Sequence, residues 1–314
     1  MRHALHITLL IFSLHISITK ASQQHYPMQA HQVAPAVYAV ITPTRALPNP
    51  KNRGWNSNSA FIVTKSGVVL FDTGSSTVIG HALKQTIASV TKQPVRWIIN
   101  SHSHGDHWLG NEAFNTSVEK IISTRQVKDL VHDEGQSWID RFNQMTAGIT
   151  GQSKILPPNT LINKRTEMLL GDRQLILFPS GDSHSPGDLI LWLPQDKVLI
   201  SGDVVYSDRM PSTNASNLAQ WIRQLEELIA LKPKVVIPGH GNVSDIHGLE
   251  RLHRLLEGFW QAVTKGYEDG KSDFEMVADV TQALSSFSAD YPGLDEKIKR
   301  DISHVYLQVE AAAF

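Results

Sequence analysis

Asn100-Ser101-His102-Ser103-His104-Gly105-Asp106-His107 decides how this chain is read. Three imidazoles and a carboxylate fall within positions 102–107. Histidine and aspartate are poor core residues, so packing does not explain that density. Metal binding does: neutral imidazole suits zinc and other first-row metals, and a carboxylate adds a hard oxygen donor. Four donors this close are hard to turn toward a single ion. The stretch therefore points to two ions and to hydrolysis at a two-metal centre.

Outward from this stretch, the chain alternates short strands with helices, which predicts an α/β fold. Residues 95–99 read as a strand, and the histidine-rich loop begins where it ends. Upstream, 37–41, 59–64 and 68–71 are β-rich, and 77–90 carries Val78, Ala82, Leu83, Ile87 and Val90 on one helical face. Downstream, 110–114 reads as a short helix and 120–122 as a strand. Residues 125–145 read as a helix, and 146–158 as a loop long enough to border a site. Strands are predicted at 168–170, 174–178, 189–193, 198–201 and 234–238, with an amphipathic helix at 217–231. Helical periodicity dominates from Ser244 onward. The strands pair as hairpins as often as they form βαβ units, which argues against a purely parallel sheet.

The chain has 314 residues, 41% hydrophobic and 19% charged, enough for a large core. Its net charge of -1 implies neither a nucleic-acid partner nor an anionic membrane surface. The absence of cysteine excludes thiolate ligands, a cysteine nucleophile and disulfides. Arg2 followed by a mostly apolar run over 4–18, then Thr19-Lys20-Ala21, reads as a signal peptide at 1–21 with Ser22 as the new N-terminus. A periplasmic or secreted protein without a membrane span after cleavage is expected. Residues 22–32 are polar and expected to be loose.

Three more candidate ligands follow predicted strands: His184 in Gly181-Asp182-Ser183-His184-Ser185-Pro186-Gly187, Asp203 in Ser201-Gly202-Asp203, and His240 in Pro238-Gly239-His240-Gly241. Alone, His184 or His240 is more often a turn or capped-loop residue than a ligand, and Asp203, like Asp72 in Phe71-Asp72-Thr73-Gly74, reads as a turn cap. Four such loops can converge on one rim of a scaffold, where chemistry usually sits.

Together, Phe71-Asp72-Thr73-Gly74, His102-Ser103-His104-Gly105-Asp106-His107, His184-Ser185-Pro186-Gly187, Ser201-Gly202-Asp203 and Pro238-Gly239-His240-Gly241 resemble the metallo-β-lactamase-fold hydrolase superfamily, in family order over 37–247. The resemblance implies a four-layer αββα sandwich with metals at one edge, here spanning 22–264, and a C-terminal helical extension at 265–314. It implies His102, His104 and His184 on a first metal, Asp106, His107 and His240 on a second, and Asp203 bridging both. Two Zn²⁺ ions are implied, with iron and manganese suiting the same donors. A hydroxide shared by ions about 3.5–4 Å apart is the expected nucleophile. Asp106 and Asp203 are the expected catalytic residues, Asp106 steering the water or its proton. Asp72 is expected to support the ligand loop from behind.

The stretches 100–114 and 201–211 further resemble the exported SoxH-like, or quinoprotein-relay-system, zinc hydrolases. The implied reaction is cleavage of an ester, thioester, lactone or amide bond in a small molecule, with β-lactam hydrolysis as the alternative. Asp203 stands where cysteine-using β-lactamases have their thiolate, which excludes that ligand set. The ligands match glyoxalase II-like thioesterases better. Residues 265–314, however, hold about twice as many acids as bases, which argues against a glutathione substrate. Of Trp260, Tyr267, Phe274, Phe287 and Tyr291, most are expected in the core and a minority in a substrate wall or a subunit contact. A non-catalytic metal- or partner-binding protein would be expected to lack a ligand, and all seven positions are filled. The oligomeric state is not legible.

Overall fold

The strands flanking the histidine motif are apolar on both faces, and that sets the layering. In the computed structural model, which describes residues 26–151 and 153–313, β4 (Gly67–Phe71) and β5 (Val95–Ile99) run parallel in a seven-stranded sheet. That sheet has the order β1 (His31–Ala34), β2 (Val37–Val40), β3 (Ser59–Thr64), β4, β5, β6 (Lys120–Ser123) and β7 (Thr160–Leu161). The five-stranded second sheet has the order β12 (Val235–Ile237), β11 (Val198–Ile200), β10 (Asp188–Leu193), β9 (Arg173–Gly181) and β8 (Thr166–Leu170). Both sheets mix parallel and antiparallel pairs.

Alternation along each strand divides the core. Val69, Phe71 and Ile99 from one sheet join Leu189, Leu191, Val198 and Ile237 from the other in an inter-sheet core. Val68, Leu70 and Ile98 turn the other way and pack beneath Ile79, Leu83 and Ile87 of α1 (Thr77–Val90). Ile190, Trp192, Leu199 and Val236 form the outer face of the second sheet, beneath the helices α4 (Leu218–Ala230), α5 (Ile246–Glu268), α6 (Val277–Ala283) and α7 (Leu294–Ala312). These are the expected αββα layers. Each fully buried leucine or isoleucine adds roughly 1.5–3 kcal/mol by leaving water. α2 (Gly105–Trp108) and α3 (Arg125–Met145) pack together in a satellite cluster at one end.

The expected signal segment 1–21 lies outside the described residues. Among the described residues, no helix is long and apolar enough to cross a membrane. Position 265 falls inside α5, and α5, α6 and α7 share one apolar cluster with the second sheet. Two local expectations change. Residues 31–32 belong to β1, an edge strand whose half-exposed pattern hides it in a polar stretch. Part of the histidine-rich loop is helical, because Gly105 to Trp108 form the single turn α2, with a 3₁₀ turn following at Asn111–Phe114.

Candidate metal centre

Five donors lie just beyond strand ends, and Asp106 and His107 stand on the turn α2 that follows β5. His102 and His104 follow β5, His184 sits in the turn from β9 to β10, Asp203 follows β11 and His240 follows β12. β11 and β12 are parallel, so their ends share one edge. Ser201 N donates to Ile237 O at 3.1 Å and Gly239 N to Gly202 O at 2.8 Å. A Cβ at Gly239 would lie 2.0 Å from Asp203 Oδ1, so glycine is required for this close approach. Asn58 ties the edge to β3, donating through Nδ2 to Pro238 O at 2.9 Å and Gly241 O at 2.8 Å.

The donors fall into two groups, each with ligand atoms within 4.8 Å of one another: His102, His104, His184 and Asp203, and Asp106, His107 and His240. Asp203 reaches both. Its Oδ2 lies 3.6 Å from His184 Nε2 and 3.2 Å from His240 Nε2, and its Oδ1 lies 3.2 Å from His107 Nε2. The sequence-derived ligands are thus brought together without exception.

Buried partners behind the rings fix which nitrogen faces the site. Asp72 accepts His107 Nδ1 at 2.8 Å, Ser101 N at 2.8 Å and Ser101 Oγ at 2.7 Å. Ser101 Oγ in turn accepts His102 Nδ1 at 2.8 Å, so one carboxylate orients two ligands. Asp72 holds φ 57°, a left-handed backbone that these bonds keep in place. His240 Nδ1 donates to Asn56 O at 2.8 Å, while Asn56 Nδ2 donates to Asp106 Oδ2 at 2.8 Å. Asp188 accepts His184 N at 2.6 Å and Ser185 N at 2.9 Å, holding the His184 turn. Tyr206 OH donates to Asp203 and its ring stacks on His240.

The donor geometry fits metal ions better than it fits hydrogen bonding. His104 Nδ1 lies 3.0 Å from His102 Nε2 and 3.2 Å from His184 Nε2, three ring nitrogens aimed at one another. Neutral imidazoles cannot satisfy all three. The buried atoms His107 Nε2 and Asp203 Oδ1 lie close without hydrogen-bond alignment and have no partner. Burial, then the neighbouring His107, pushes His102 well below the usual histidine range, and burial takes His184 down to about 3. Both rings are therefore neutral near pH 7, as metal binding requires. Burial alone would raise Asp203, but His240 and His107 overcome it and hold its carboxyl well below the usual range. Burial pushes Asp188 up to about 7.

A cavity of about 350 Å³ opens onto the donors. Trp138, Phe142 and Met145 of α3 give it an apolar side, with Leu47 and Pro48 at the rim. None of the five C-terminal aromatics lines it; Phe274 is exposed and Tyr291 is core. What α7 contributes is Lys297 and Arg300. The acidic surplus of 265–314 does not line the cavity, so the charge count that argues against a glutathione substrate does not describe the cavity wall: a net count averages over helix faces that point elsewhere. Asn56, Ser101, Asp188 and Tyr206 were not singled out from the sequence. A run of buried polar residues just ahead of an apolar strand (Asn56-Ser57-Asn58-Ser59) is the signal that could have found the first.

The family model described as the metallo-beta-lactamase superfamily matches residues 52–240. A metallo-beta-lactamase of Chryseobacterium indologenes is 25% identical over 211 residues, covering 64% of this chain and 80% of that protein. An acyl-coenzyme A thioesterase of Gallus gallus is 37% identical over 176 residues, 51% of this chain and 61% of that protein. Among solved structures, a metallo-beta-lactamase from Pontibacter korlensis superposes with a TM-score of 0.60 at 22% identity, covering 73% of this chain and 99% of that one.

Proposed function

Because the chain belongs to the metallo-beta-lactamase superfamily, we propose that it is an exported dinuclear zinc hydrolase acting on an ester, thioester, lactone or amide bond of a small molecule. The observation that carries this reading is the convergence of seven donors from four strand ends, with Asp203 in reach of both groups. His102, His104 and His184 would hold one ion, Asp106, His107 and His240 the other, with Asp203 between them. When bound, the ions supply a nucleophilic water of lowered pKa and a Lewis acid for the scissile carbonyl.

The chain's own groups do the rest. Asp72, Ser101 and Asn56 fix the tautomers of His107, His102 and His240. Asp106, held by Asn56, keeps a carboxylate at the cavity floor that can orient the attacking water and take its proton. Trp138 and Phe142 exclude water from one side. Within the proposal, 1–21 is a cleaved signal peptide, 22–264 the hydrolase domain and 265–314 its helical extension. The proposal also makes the protein periplasmic or secreted and a member of the SoxH-like branch, a reading supported by the resemblance of the stretches 100–114 and 201–211.

The relative of 37% identity is named a thioesterase, which supports an acyl bond as the target. β-Lactam opening is the second reading, supported by the Chryseobacterium relative and opposed by Asp203 in place of a thiolate. Elemental analysis of zinc-reconstituted protein, with a panel of thioesters, lactones, esters and β-lactams, tests the reading. About two ions per chain and zinc-dependent turnover are expected. Fewer than about one ion per chain would overturn it.

A further inference from the structure

The cavity has a second chemical feature, carried mainly by α7. Lys297 and Arg300 both line it, and their spacing sets them side by side on one helical face. Arg209, six residues after Asp203, lines it too. Among the described residues, the only carboxylates on its wall are Asp106 and Asp203, both candidate metal ligands.

This cationic group is held in place. Buried Asp301 accepts Arg300 Nε at 2.5 Å and Thr213 N at 2.8 Å, which fixes the guanidinium and ties α7 to the loop. Arg300 also donates to Ser212 Oγ at 2.6 Å. The Arg209 guanidinium sits 5.2 Å from the centre of the Tyr206 ring and donates to Arg45 O at 3.0 Å. Lys297 is half-buried, and its ammonium has no hydrogen-bond or ion-pair partner among the described residues. Burial, and then Arg300, bring it down to about 8. Asp301 offsets the charge of Arg300 and the Tyr206 ring faces Arg209, but Lys297 has no such partner, and gathering cations around one recess costs free energy. An anion among them would turn that repulsion into attraction.

We propose that the substrate carries an oxyanion, a carboxylate or a phosphate, held by Lys297 with Arg209 and Arg300 while its scissile bond lies at the metal donors. The inference rests on the hydrolase reading and names the substrate class of that site. Lys297 and Arg300 lie outside the family-matched segment 52–240 and Arg209 inside it, so the C-terminal helices add two of the three cations to a site that the matched segment forms. The apolar side formed by Trp138, Phe142 and Met145 takes the uncharged body of the substrate.

Calorimetric binding of N-phenylsuccinamate, its uncharged methyl ester and the corresponding phosphonate to the zinc-loaded full chain tests this without requiring turnover. The acid or the phosphonate is expected to bind about tenfold or more tighter than the ester, and whichever binds tighter identifies the oxyanion. Lys297→Met should remove most of that preference and Lys297→Arg should restore it, whereas Lys299→Met, an exposed residue off the cavity, should leave it intact. Equal binding of acid and ester overturns the inference. So does a preference that survives Lys297→Met, Arg209→Gln and Arg300→Gln combined, since none of the proposed cations would then hold the anion. Anion preference without hydrolysis of any panel substrate overturns the hydrolase reading and leaves the anion subsite supported. Thermal melts of each variant separate loss of fold from loss of contact.

Discussion

At the metal edge, the ligands sit at or just beyond strand ends, and buried partners such as Asp72, Asn56 and Asp188 hold them from behind. At the α7 wall of the same cavity, the charged groups stand on a helix surface. One of them, Arg300, is clamped by a buried acid, and Lys297 is left without a partner. The first arrangement is held rigidly by buried hydrogen bonds, as a reaction centre requires. The second is adaptable and depends on where a distant helix docks. Lys297 and Arg300 of α7 therefore come from a different part of the chain than the metal donors, while Arg209, against Tyr206, links the two walls.

The largest expected effect breaks the metal edge alone. Asp203→Asn removes the charge shared between the two donor groups. It should leave about one of two ions bound and lower turnover by about a hundredfold or more, read by elemental analysis and kcat. A full complement of metal would show that Asp203 does not bridge. Asp72→Asn comes next. Asparagine tolerates the left-handed turn, but an NH2 group in place of one carboxylate oxygen cannot accept, so the bonds from Ser101 N, Ser101 Oγ and His107 Nδ1 cannot all be kept as they are. Zinc affinity, by chelator competition, should fall about 10- to 100-fold, with anion binding to the zinc-saturated protein unchanged.

Gly239→Ala tests the crowding at the edge. The added methyl meets Asp203 Oδ1 and the Gly202 backbone, and should cost about 1–3 kcal/mol of stability with loss of metal, seen by thermal unfolding with and without zinc. The smallest effect sharpens the other side. Lys297 is protonated below about 8 and loses its charge as pH rises through that value. Affinity for an anionic probe should therefore be greater near pH 7 than near pH 9, by about tenfold at most. Binding near pH 8 should take up a proton, measurable by calorimetry in two buffers. A flat profile would remove Lys297 from the subsite.

Much of this was legible in the sequence because it is local. The strand before the motif and the helices at Thr77–Val90 and Arg125–Met145 follow from apolar periodicity within short windows, and His102, His104, Asp106 and His107 stand out by residue type, whereas His184, Asp203 and His240 join them only through the family resemblance. The expectation that Asp72 works from behind the ligands agrees with its bonds to His107 and Ser101. Edge strand β1 was missed because a half-exposed strand carries little hydrophobic signal. The helical turn α2 was missed because four residues are too few to show a period.

The sequence by itself determined the fold class, the αββα layering through its family resemblance, and which side chains could bind metal. Fold class and the 102–107 cluster depend on neighbours a few positions apart, and the rest on motifs in family order over 37–247. Only the tertiary structure decided what stands behind and around the metal donors. Asn56 reaches Asp106 across 50 positions of sequence, and Asp301 meets Thr213 across 88. The same is true of the charge of the cavity. Residues 265–314 are acidic as a count, yet they present cations to the site, because a helix shows each face to a different neighbour and only packing chooses which face looks inward.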